Sequence, residues 1–291
     1  MKLATFTHGR TARIGIVVGE LIIDLSAAAP ELPTDMIAFL VAGDEAMARA
    51  REAQTDSDHA FAVADVALHA PVPHPGKILA IGLNYRDHIE ESGAQPPKHQ
   101  VWFNKQHNAA NGPYATFAKP SVSDLLDYEG ELVFVIGKRA KHVPRERAHE
   151  VIAGYCAGND VSVRDWQARS PTMQIGKSFD THAPFGPWIV TPDEIGDPHT
   201  LDIRTFVNGD KRQDSNTRHL VFDCFDQIAH LTQSFTLDPG DVIFTGTSAG
   251  VGAAMDPPGW LKVADVVRVE IENIGHIENT VVEEDATPVI G

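Results

Sequence analysis

The sequence has little cysteine, little positive charge and no long apolar run. Its two cysteines, Cys156 and Cys224, do not imply a disulfide framework, and they fit a reducing compartment. Its 24 basic and 40 acidic side chains give a formal net charge of −16, which disfavours nucleic acid and anionic membranes as partners. No apolar stretch reaches the roughly 20 residues of a membrane span, and the start of the chain lacks the apolar core of a signal peptide. We therefore expect a cytoplasmic protein.

Nucleotide-binding glycine patterns are also missing. No GxGxxG opens a helix after a strand, and no GxxxxGK[ST] occurs. The predicted helices are few and do not alternate regularly with strands, so a doubly wound parallel sheet is not expected. Because 43% of the residues are apolar, the chain can bury a sizeable core. We predict a mostly β fold with helices, of the α+β class, built on a mixed sheet that is rolled or barrel-like.

A proline-rich stretch separates two parts of the chain. Residues 69–77 read HAPVPHPGK and interrupt the periodic pattern, so we interpret them as a linker. Residues 1–70 then predict a small N-terminal domain of three short strands and two helices, and residues 71–291 a larger, strand-rich domain that would carry the active site. In the larger part, PRERAHEVIAG (144–154) predicts a helix with proline at its first position.

Two glutamates stand at the start of an apolar run in DYEGELVFVIG (127–137). If this run is a strand, Glu129 and Glu131 point to the same side, and two like charges held close together call for a cation between them. Asp160 lies in a second apolar, extended segment, AGNDVSVRDWQ (157–167). Three carboxylates make an all-oxygen site, which suits Mg²⁺, Mn²⁺ or Ca²⁺. Alternatively, both glutamates face solvent at a strand edge, and their spacing alone does not exclude this.

A histidine and a glutamate share one face of a short predicted helix in GLNYRDHIEESG (82–93). His88 and Glu91 are three residues apart, a spacing that makes neighbours on a helix surface. A carboxylate beside an imidazole fixes its tautomer and raises its basicity, as a general base that activates water requires. The alternative is an ordinary surface pair without a catalytic role.

Two further segments carry candidate site residues. Lys177 follows a glycine in QIGKSFDTHAPFGPW (174–188), where it could hold a carboxylate or donate a proton to a carbanion; the alternative is a surface lysine. In IFTGTSAGVG (243–252) a strand runs into a turn rich in glycine and threonine. The backbone N–H groups and the Thr247 hydroxyl could bind a carboxylate there, or the segment is simply a loop.

Together and in this order, these segments resemble the fumarylacetoacetate hydrolase superfamily. The resemblance spans residues 77–284 and is carried by five stretches: IGLNYRDHIEESG, DYEGELVFVIGK, GYCAGNDVSVRDWQ, GKSFDTHAPFGPWIV and GDVIFTGTSAGVG. It implies a mixed β-sandwich roll of the fumarylacetoacetate hydrolase type, preceded by a small N-terminal α+β domain. It also implies a homodimer with one divalent ion, Mg²⁺ or Mn²⁺, in each subunit.

The resemblance implies roles for nine side chains. The metal ligands would be Glu129, Glu131 and Asp160. The dyad that activates water would be His88 and Glu91, and Lys177 would be the catalytic lysine. Contacts with the substrate are implied for three more residues: Lys105, Gln167 and Thr247.

Family members act on 2-oxo acids and 1,3-diketo acids, and the resemblance is to bacterial acylpyruvases such as fumarylpyruvate or maleylpyruvate hydrolase. We therefore expect a hydrolase that cleaves the C–C bond of an acylpyruvate to pyruvate and a carboxylic acid, in the catabolism of aromatic compounds. An oxaloacetate decarboxylase or a 2-hydroxydienoate isomerase or hydratase on the same scaffold is the alternative. A non-catalytic metal-dependent protein that binds oxo acids is a third possibility, although binding alone would not require His88, Glu91 and Lys177 together.

Overall fold

The computed structural model describes residues 1–290, and β-structure dominates it. Nineteen strands lie within the described residues: β1 (Lys2–His8), β2 (Thr11–Val18), β3 (Leu21–Asp24), β4 (Ala60–Ala62), β5 (Ala67–Leu68), β6 (Ile78–Gly82), β7 (Val101–Lys105), β8 (Ala110–Asn111), β9 (Phe117–Lys119), β10 (Leu126–Asp127), β11 (Gly130–Ile136), β12 (Ile152–Asn159), β13 (Ser162–Val163), β14 (Ala183–Val190), β15 (Asp202–Val207), β16 (Asp210–Asn216), β17 (Val242–Thr247), β18 (Val266–Ile271) and β19 (Gly275–Glu283). This composition confirms the predicted strand-rich α+β class.

The helices are fewer and mostly short. Six α-helices occur in the described part of the chain: α1 (Leu25–Ala28), α2 (Met36–Ala53), α3 (Arg86–Ser92), α4 (Arg164–Gln167), α5 (Pro192–Ile195) and α6 (Cys224–Ser234). Single 3₁₀ segments add Ser57–His59, Val63–Asp65, His107–Ala109, Arg145–Val151, Gln174–Lys177, Thr217–His219 and Gly252–Ala254. Within residues 1–290, no helix has the length and apolarity needed to cross a membrane.

One predicted helix is wrong. Residues 144–154 form a 3₁₀ segment over Arg145–Val151, and the chain then enters β12 at Ile152. The reason is tertiary: β12 pairs with β11 on one side and β14 on the other, and a Cβ at Gly154 would overlap the Val190 carbonyl. Pairing between two buried strands therefore overrides the helical pattern of the sequence.

Most strands belong to one large mixed sheet. Its twelve strands follow the order β4-β3-β2-β1-β14-β12-β11-β17-β6-β7, with β5 on β1 and β8 on β14. A second sheet of five strands has the order β16-β15-β18-β19-β9, and β10 pairs with β13. Leu132 and Phe134 of β11 share one buried apolar cluster with Ile203 and Val269 of the five-stranded sheet. The two sheets thus pack face to face, as the predicted β-sandwich roll requires.

The N-terminal strands continue the large sheet. β1 pairs with β14, with Leu3 opposite Ile189. Leu3 and Phe39 also belong to the same buried cluster as Val133 and Phe185. Residues 1–70 therefore share both a sheet and a core with the rest of the chain, and the division at residue 70 into two domains stays a prediction.

Candidate active site

Three carboxylates meet where the two central strands of the large sheet run side by side. Glu131 lies in β11, Glu129 precedes that strand by one residue, and Asp160 directly follows β12. β11 and β12 are antiparallel with Gly130 opposite Asn159, so the end of one strand lies beside the start of the other. One oxygen from each carboxylate lies within 4.8 Å of the others, and all three residues are buried. The predicted cluster of carboxylates is therefore present.

Three cations contact two of these carboxylates. The Lys177 Nζ donates to Glu129 Oε2 at 2.6 Å and to Asp160 Oδ2 at 2.8 Å. The Lys105 Nζ donates to Asp160 Oδ1 at 2.5 Å. The Arg164 Nη1 donates to Glu129 Oε1, also at 2.5 Å. Glu129 and Asp160 are thereby compensated in the interior of the protein, where an unpaired charge would be costly.

Glu131 has a different environment. Its Oε2 accepts a hydrogen bond from the Gly246 backbone N–H at 2.7 Å, and no cation of the described chain contacts it. Burial, followed by the charges of Asp160 and Glu129, raises the pKa of Glu131 well above its usual value. Burial also opposes ionisation of Glu129, but the charges of Lys177 and Arg164 lower its pKa to about 2. The positive charges of the described residues thus lie on the sides of Glu129 and Asp160, and none lies in contact with Glu131.

A divalent cation fits this gap. The donor set consists of carboxylate oxygens alone, which suits hard ions such as Mg²⁺ and Mn²⁺ rather than zinc. An ion bound by Glu129, Glu131 and Asp160 would supply the charge that burial and repulsion demand at Glu131.

The predicted dyad lies on helix α3. This helix ends at Ser92, and Gly93 caps it in the left-handed conformation with φ 65°. The His88 Nδ1 is 3.3 Å from Glu91 Oε2, and the Gly250 backbone N–H donates to Glu91 Oε1 at 2.8 Å. The Glu91 carboxylate favours a proton on Nδ1 and leaves Nε2 of His88 as the basic nitrogen. The glycine-rich loop after β17 therefore orients the Glu91 carboxylate through the Gly250 N–H.

One cavity of about 120 Å³ joins the dyad to the triad. Five predicted site residues line it: His88, Glu129, Gln167, Lys177 and Thr247. The other four reach the cluster through direct contacts: Glu91 through His88, Lys105 through Asp160, and Glu131 and Asp160 through the triad itself. The structure thus brings all nine predicted residues together, although their individual roles stay predictions.

All three residues predicted to contact substrate already have partners in the protein, Lys105 through Asp160. The Gln167 Oε1 accepts a hydrogen bond from Arg164 Nη1 at 3.0 Å. The Thr247 hydroxyl donates to the Gly130 carbonyl at 2.9 Å and accepts from Gln213 Nε2 at 2.8 Å. Thr247 is therefore bound to the peptide between the two glutamates, a role that the loop sequence did not indicate.

Arg164 and Asp127 belong to the site and were not predicted. Arg164 lines the cavity, and its Nε donates to Asp127 Oδ2 at 2.9 Å. Asp127 is fully buried and accepts hydrogen bonds from the backbone N–H groups of Gly252 and Ala253 at 2.8 and 3.0 Å. One signal was available, because Arg164 precedes Gln167 by three residues and therefore shares its face of a helical turn.

The fold and the site define an enzyme with a buried carboxylate site for a divalent metal. The family model described as fumarylacetoacetate (FAA) hydrolase C-terminal matches residues 77–282. An oxaloacetate tautomerase of Xenopus laevis, described as mitochondrial, is 43% identical over 288 residues, which cover 97% of this chain and 90% of that protein. The chain belongs to the fumarylacetoacetate hydrolase family.

Two solved structures support the same assignment. A fumarylacetoacetate hydrolase from Exiguobacterium antarcticum is 35% identical, with a TM-score of 0.87 over 98% of this chain and 100% of that one. A maleylpyruvate hydrolase from Sphingobium sp. SYK-6, solved with manganese(II) and pyruvate, is 33% identical, with a TM-score of 0.80 and the same coverage. A divalent metal therefore agrees both with the carboxylate ligands of this site and with the manganese in the structure of this relative. The cytoplasmic location stays a prediction.

Proposed function

We propose that this protein is a divalent-metal-dependent enzyme that interconverts the enol and keto forms of oxaloacetate or of a similar small 2-oxo diacid. The observation that carries the proposal is the shared cavity, which the imidazole of the His88–Glu91 dyad lines together with Glu129 of the triad. A general base beside a carboxylate metal site is what enolisation of an oxo acid requires. The similarity to the Xenopus oxaloacetate tautomerase, over nearly the whole chain, supports the choice of reaction.

Proton transfer would be the work of the dyad. A divalent ion held by Glu129, Glu131 and Asp160 would polarise the ketone and stabilise the negative charge of the enolate. In the direction from keto to enol, His88 would remove a proton from the carbon next to the ketone, and the resulting imidazolium would deliver that proton to the enolate oxygen, which restores the neutral base. Glu91 would hold the imidazole by its Nδ1 proton and stabilise the imidazolium that forms. Lys177, charged and fully buried, would keep the carboxylates in place during this transfer.

The cavity favours a small acid. Its volume of about 120 Å³ is well below the roughly 300–1,000 Å³ of sites for drug-sized ligands. Arg164 lines it, and the Nη2 of this residue lies 2.8 Å from Asp127 Oδ2 without making a well-aligned hydrogen bond. The Arg164 guanidinium would therefore place positive charge at the wall of the cavity and favour an anionic substrate.

Hydrolysis of an acylpyruvate, the activity expected first from the sequence, is the second candidate. The similarity to the maleylpyruvate hydrolase solved with manganese and pyruvate favours it. In this reaction His88 would deprotonate a water that attacks the distal carbonyl, the C–C bond would break, and protonation of the enolate would give pyruvate. Decarboxylation of oxaloacetate needs the same enolate without the attacking water, and a dienol isomerase or hydratase needs different proton transfers at the same site.

A substrate panel tests the proposal. The purified protein, with Mg²⁺ or Mn²⁺, would be given enol oxaloacetate, acylpyruvates and dienol acids, and the metal-catalysed rates without protein would be subtracted. We expect ketonisation of oxaloacetate to have the highest kcat/KM, to be lost on chelation and to return with Mn²⁺. A kcat/KM for an acylpyruvate that exceeds it would replace the proposal with the second candidate. Metal binding without turnover of any substrate would favour the non-catalytic alternative.

The assembly is a separate proposal. We infer a homodimer from the family, and light scattering at micromolar concentration should give about twice the monomer mass of 31.6 kDa. A mass near that of the monomer would contradict it.

A further inference from the structure

A buried amide supports the acidic triad from the other sheet. Gln213 lies in β16, at the edge of the five-stranded sheet, and is 1% exposed. Its Oε1 accepts a hydrogen bond from the Gly130 backbone N–H at 2.9 Å. Its Nε2 donates to Thr247 Oγ1 at 2.8 Å and to the Ser248 carbonyl at 2.9 Å. One side chain therefore ties the start of β11 to the end of β17.

The peptide that Gln213 holds is the one between the two glutamates of the triad. Gly130 separates Glu129 from Glu131, so the orientation of its peptide sets the direction of both carboxylates. Its carbonyl accepts from Thr247 Oγ1, which in turn accepts from Gln213. A Cβ at Gly130 would overlap the Thr205 hydroxyl, so the five-stranded sheet packs directly against this backbone.

The strand ladder does not fix this region by itself. β11 and β17 are antiparallel, but their register shifts between Glu131 and Val133. Such an irregularity interrupts the regular hydrogen bonds that would otherwise align a strand with its neighbour. The amide of Gln213 supplies hydrogen bonds to both strands at this point, next to Glu131 and its partner Thr247.

We propose that Gln213 is a positioning residue of the metal site: by holding the Gly130 peptide and the Thr247 hydroxyl, it sets the convergence of Glu129 and Glu131. The proposal rests on the proposed metal site. Gln213 is not among the residues that line the cavity, so its effect on an ion or a substrate passes through the residues that it holds. A partner of this kind affects metal affinity rather than the chemical step alone.

Neighbouring positions offer matched controls. Thr205 faces Gln213 across the β15–β16 ladder and also packs on Gly130, but its hydroxyl has no hydrogen-bond partner among residues 1–290. Ser215, two residues after Gln213 on β16, donates to Asp87 Oδ2 at 2.5 Å, at the start of the helix that carries His88. Thr205→Val and Ser215→Ala therefore alter the same hairpin without removing a hydrogen bond to the Gly130 peptide.

The test is the affinity of metal-free protein for Mn²⁺, measured from the electron paramagnetic resonance signal of free Mn²⁺. Gln213→Met keeps the volume of the side chain and removes its hydrogen bonds, and we expect the Kd to rise about 10- to 100-fold, as is typical for partners of metal ligands. For Thr205→Val and Ser215→Ala we expect a Kd within about threefold of the wild-type value, because neither substitution changes a contact to the ligands. Thermal unfolding of the metal-free proteins is measured alongside.

The outcomes separate the two proposals. A Gln213→Met protein that is less stable but binds Mn²⁺ like the wild type would overturn the positioning role, since the amide would then serve the fold alone. An equal loss of affinity in Thr205→Val would overturn it too.

If Gln213→Met does not fold, Gln213→Asn is the second variant. Its shorter side chain cannot reach both Gly130 and Thr247, so it should raise the Kd about 10-fold. An unchanged Kd would again refute the role. Absence of Mn²⁺ binding by the wild type would overturn the metal site, and this proposal with it.

Discussion

The acidic triad and the histidine–glutamate dyad lie at one cavity, yet the fold holds them in different ways. The triad stands at the adjoining ends of two central strands, and its carboxylates are buried among Lys105, Lys177 and Arg164. The dyad lies on the seven-residue helix α3, where the side chains of His88 and Glu91 are 16% and 24% exposed. Its internal contact is a single one of 3.3 Å.

Because of this difference, substitutions in the triad and in the dyad should affect different properties of the protein. In the triad, Glu129 and Asp160 share a buried cation, so removing one charge of these pairs leaves its partner without compensation and should lower stability as well as change metal binding. In the dyad, the side chains are close to water and few contacts depend on them, so a substitution should change the rate and little else. The fold thus provides a buried site for the metal and a more exposed base, and three substitutions can test that division.

The largest effect is expected for Glu131→Gln. The amide can still accept the Gly246 N–H, but the carboxylate that completes the triad is lost. We expect activity to fall by about 10³-fold or more, because several kcal/mol of charge stabilisation disappear. The unfolding free energy of the metal-free protein should stay the same or rise, since burial and repulsion disfavour the charge at this position and raise its pKa. Near-normal turnover in the presence of a chelator would refute the triad as the metal site.

His88→Ala should separate the dyad from the triad. We expect turnover to fall by a factor on the order of 10²–10⁴, the usual contribution of a general base. Affinity for Mn²⁺ and for oxalate, a pyruvate-like inhibitor, should not change. Glu90→Ala, on the same helix but exposed, is the control and should retain activity. A joint fall of oxalate affinity and thermal stability would indicate a structural role for His88 instead.

Lys177→Met should lower the unfolding free energy of the protein. The substitution removes the ammonium that binds both Glu129 and Asp160, and an uncompensated buried charge costs about 3–5 kcal/mol of unfolding free energy. Lys105→Met is the matched comparison and should cost less. Burial lowers the pKa of Lys105, whereas the charges of Asp160 and Glu129 overcome burial and raise that of Lys177. Urea unfolding of the two metal-free variants would measure how much unfolding free energy each one loses. Equal losses would contradict the expected difference.

A buried histidine outside the site predicts an effect on stability alone, and only at acidic pH. Burial lowers the pKa of His182 to about 3, and its ring contacts the Ala118 carbonyl at 2.7 Å. The folded protein keeps this ring neutral, while the unfolded chain takes up a proton below about pH 6.5. Stability should therefore fall as the pH drops from about 6.5 towards 3, by up to about 1.4 kcal/mol per pH unit. His182→Gln should flatten that decline in urea titrations, and parallel curves for the two proteins would contradict the assignment.

The sequence predicted features that depend on local spacing. Alternation along a strand predicted that Glu129 and Glu131 lie on one side. Asn208 and Gly209 are likewise a sequence typical of tight hairpin turns, and both take a positive φ between β15 and β16. Helix spacing likewise paired His88 with Glu91.

Features that depend on distant pairing could not be predicted in this way. Gln213 reaches Gly130 across 83 positions of the chain, and β1 pairs with β14, where Lys2 lies opposite Val190. The 3₁₀ segment at Arg145–Val151 follows from the strand that begins directly after it. Contacts of this kind are set by packing between sheets, which local periodicity does not encode.

The most direct test of the account is the anomalous diffraction of manganese in crystals soaked with Mn²⁺ and oxalate. The account predicts one manganese peak in contact with the carboxylates of Glu129, Glu131 and Asp160, with the oxalate in the cavity that His88 lines. The same soak of His88→Ala crystals should give an unchanged peak. A peak that lies elsewhere, or that disappears with His88, would contradict the central claim that the triad binds the metal independently of the dyad.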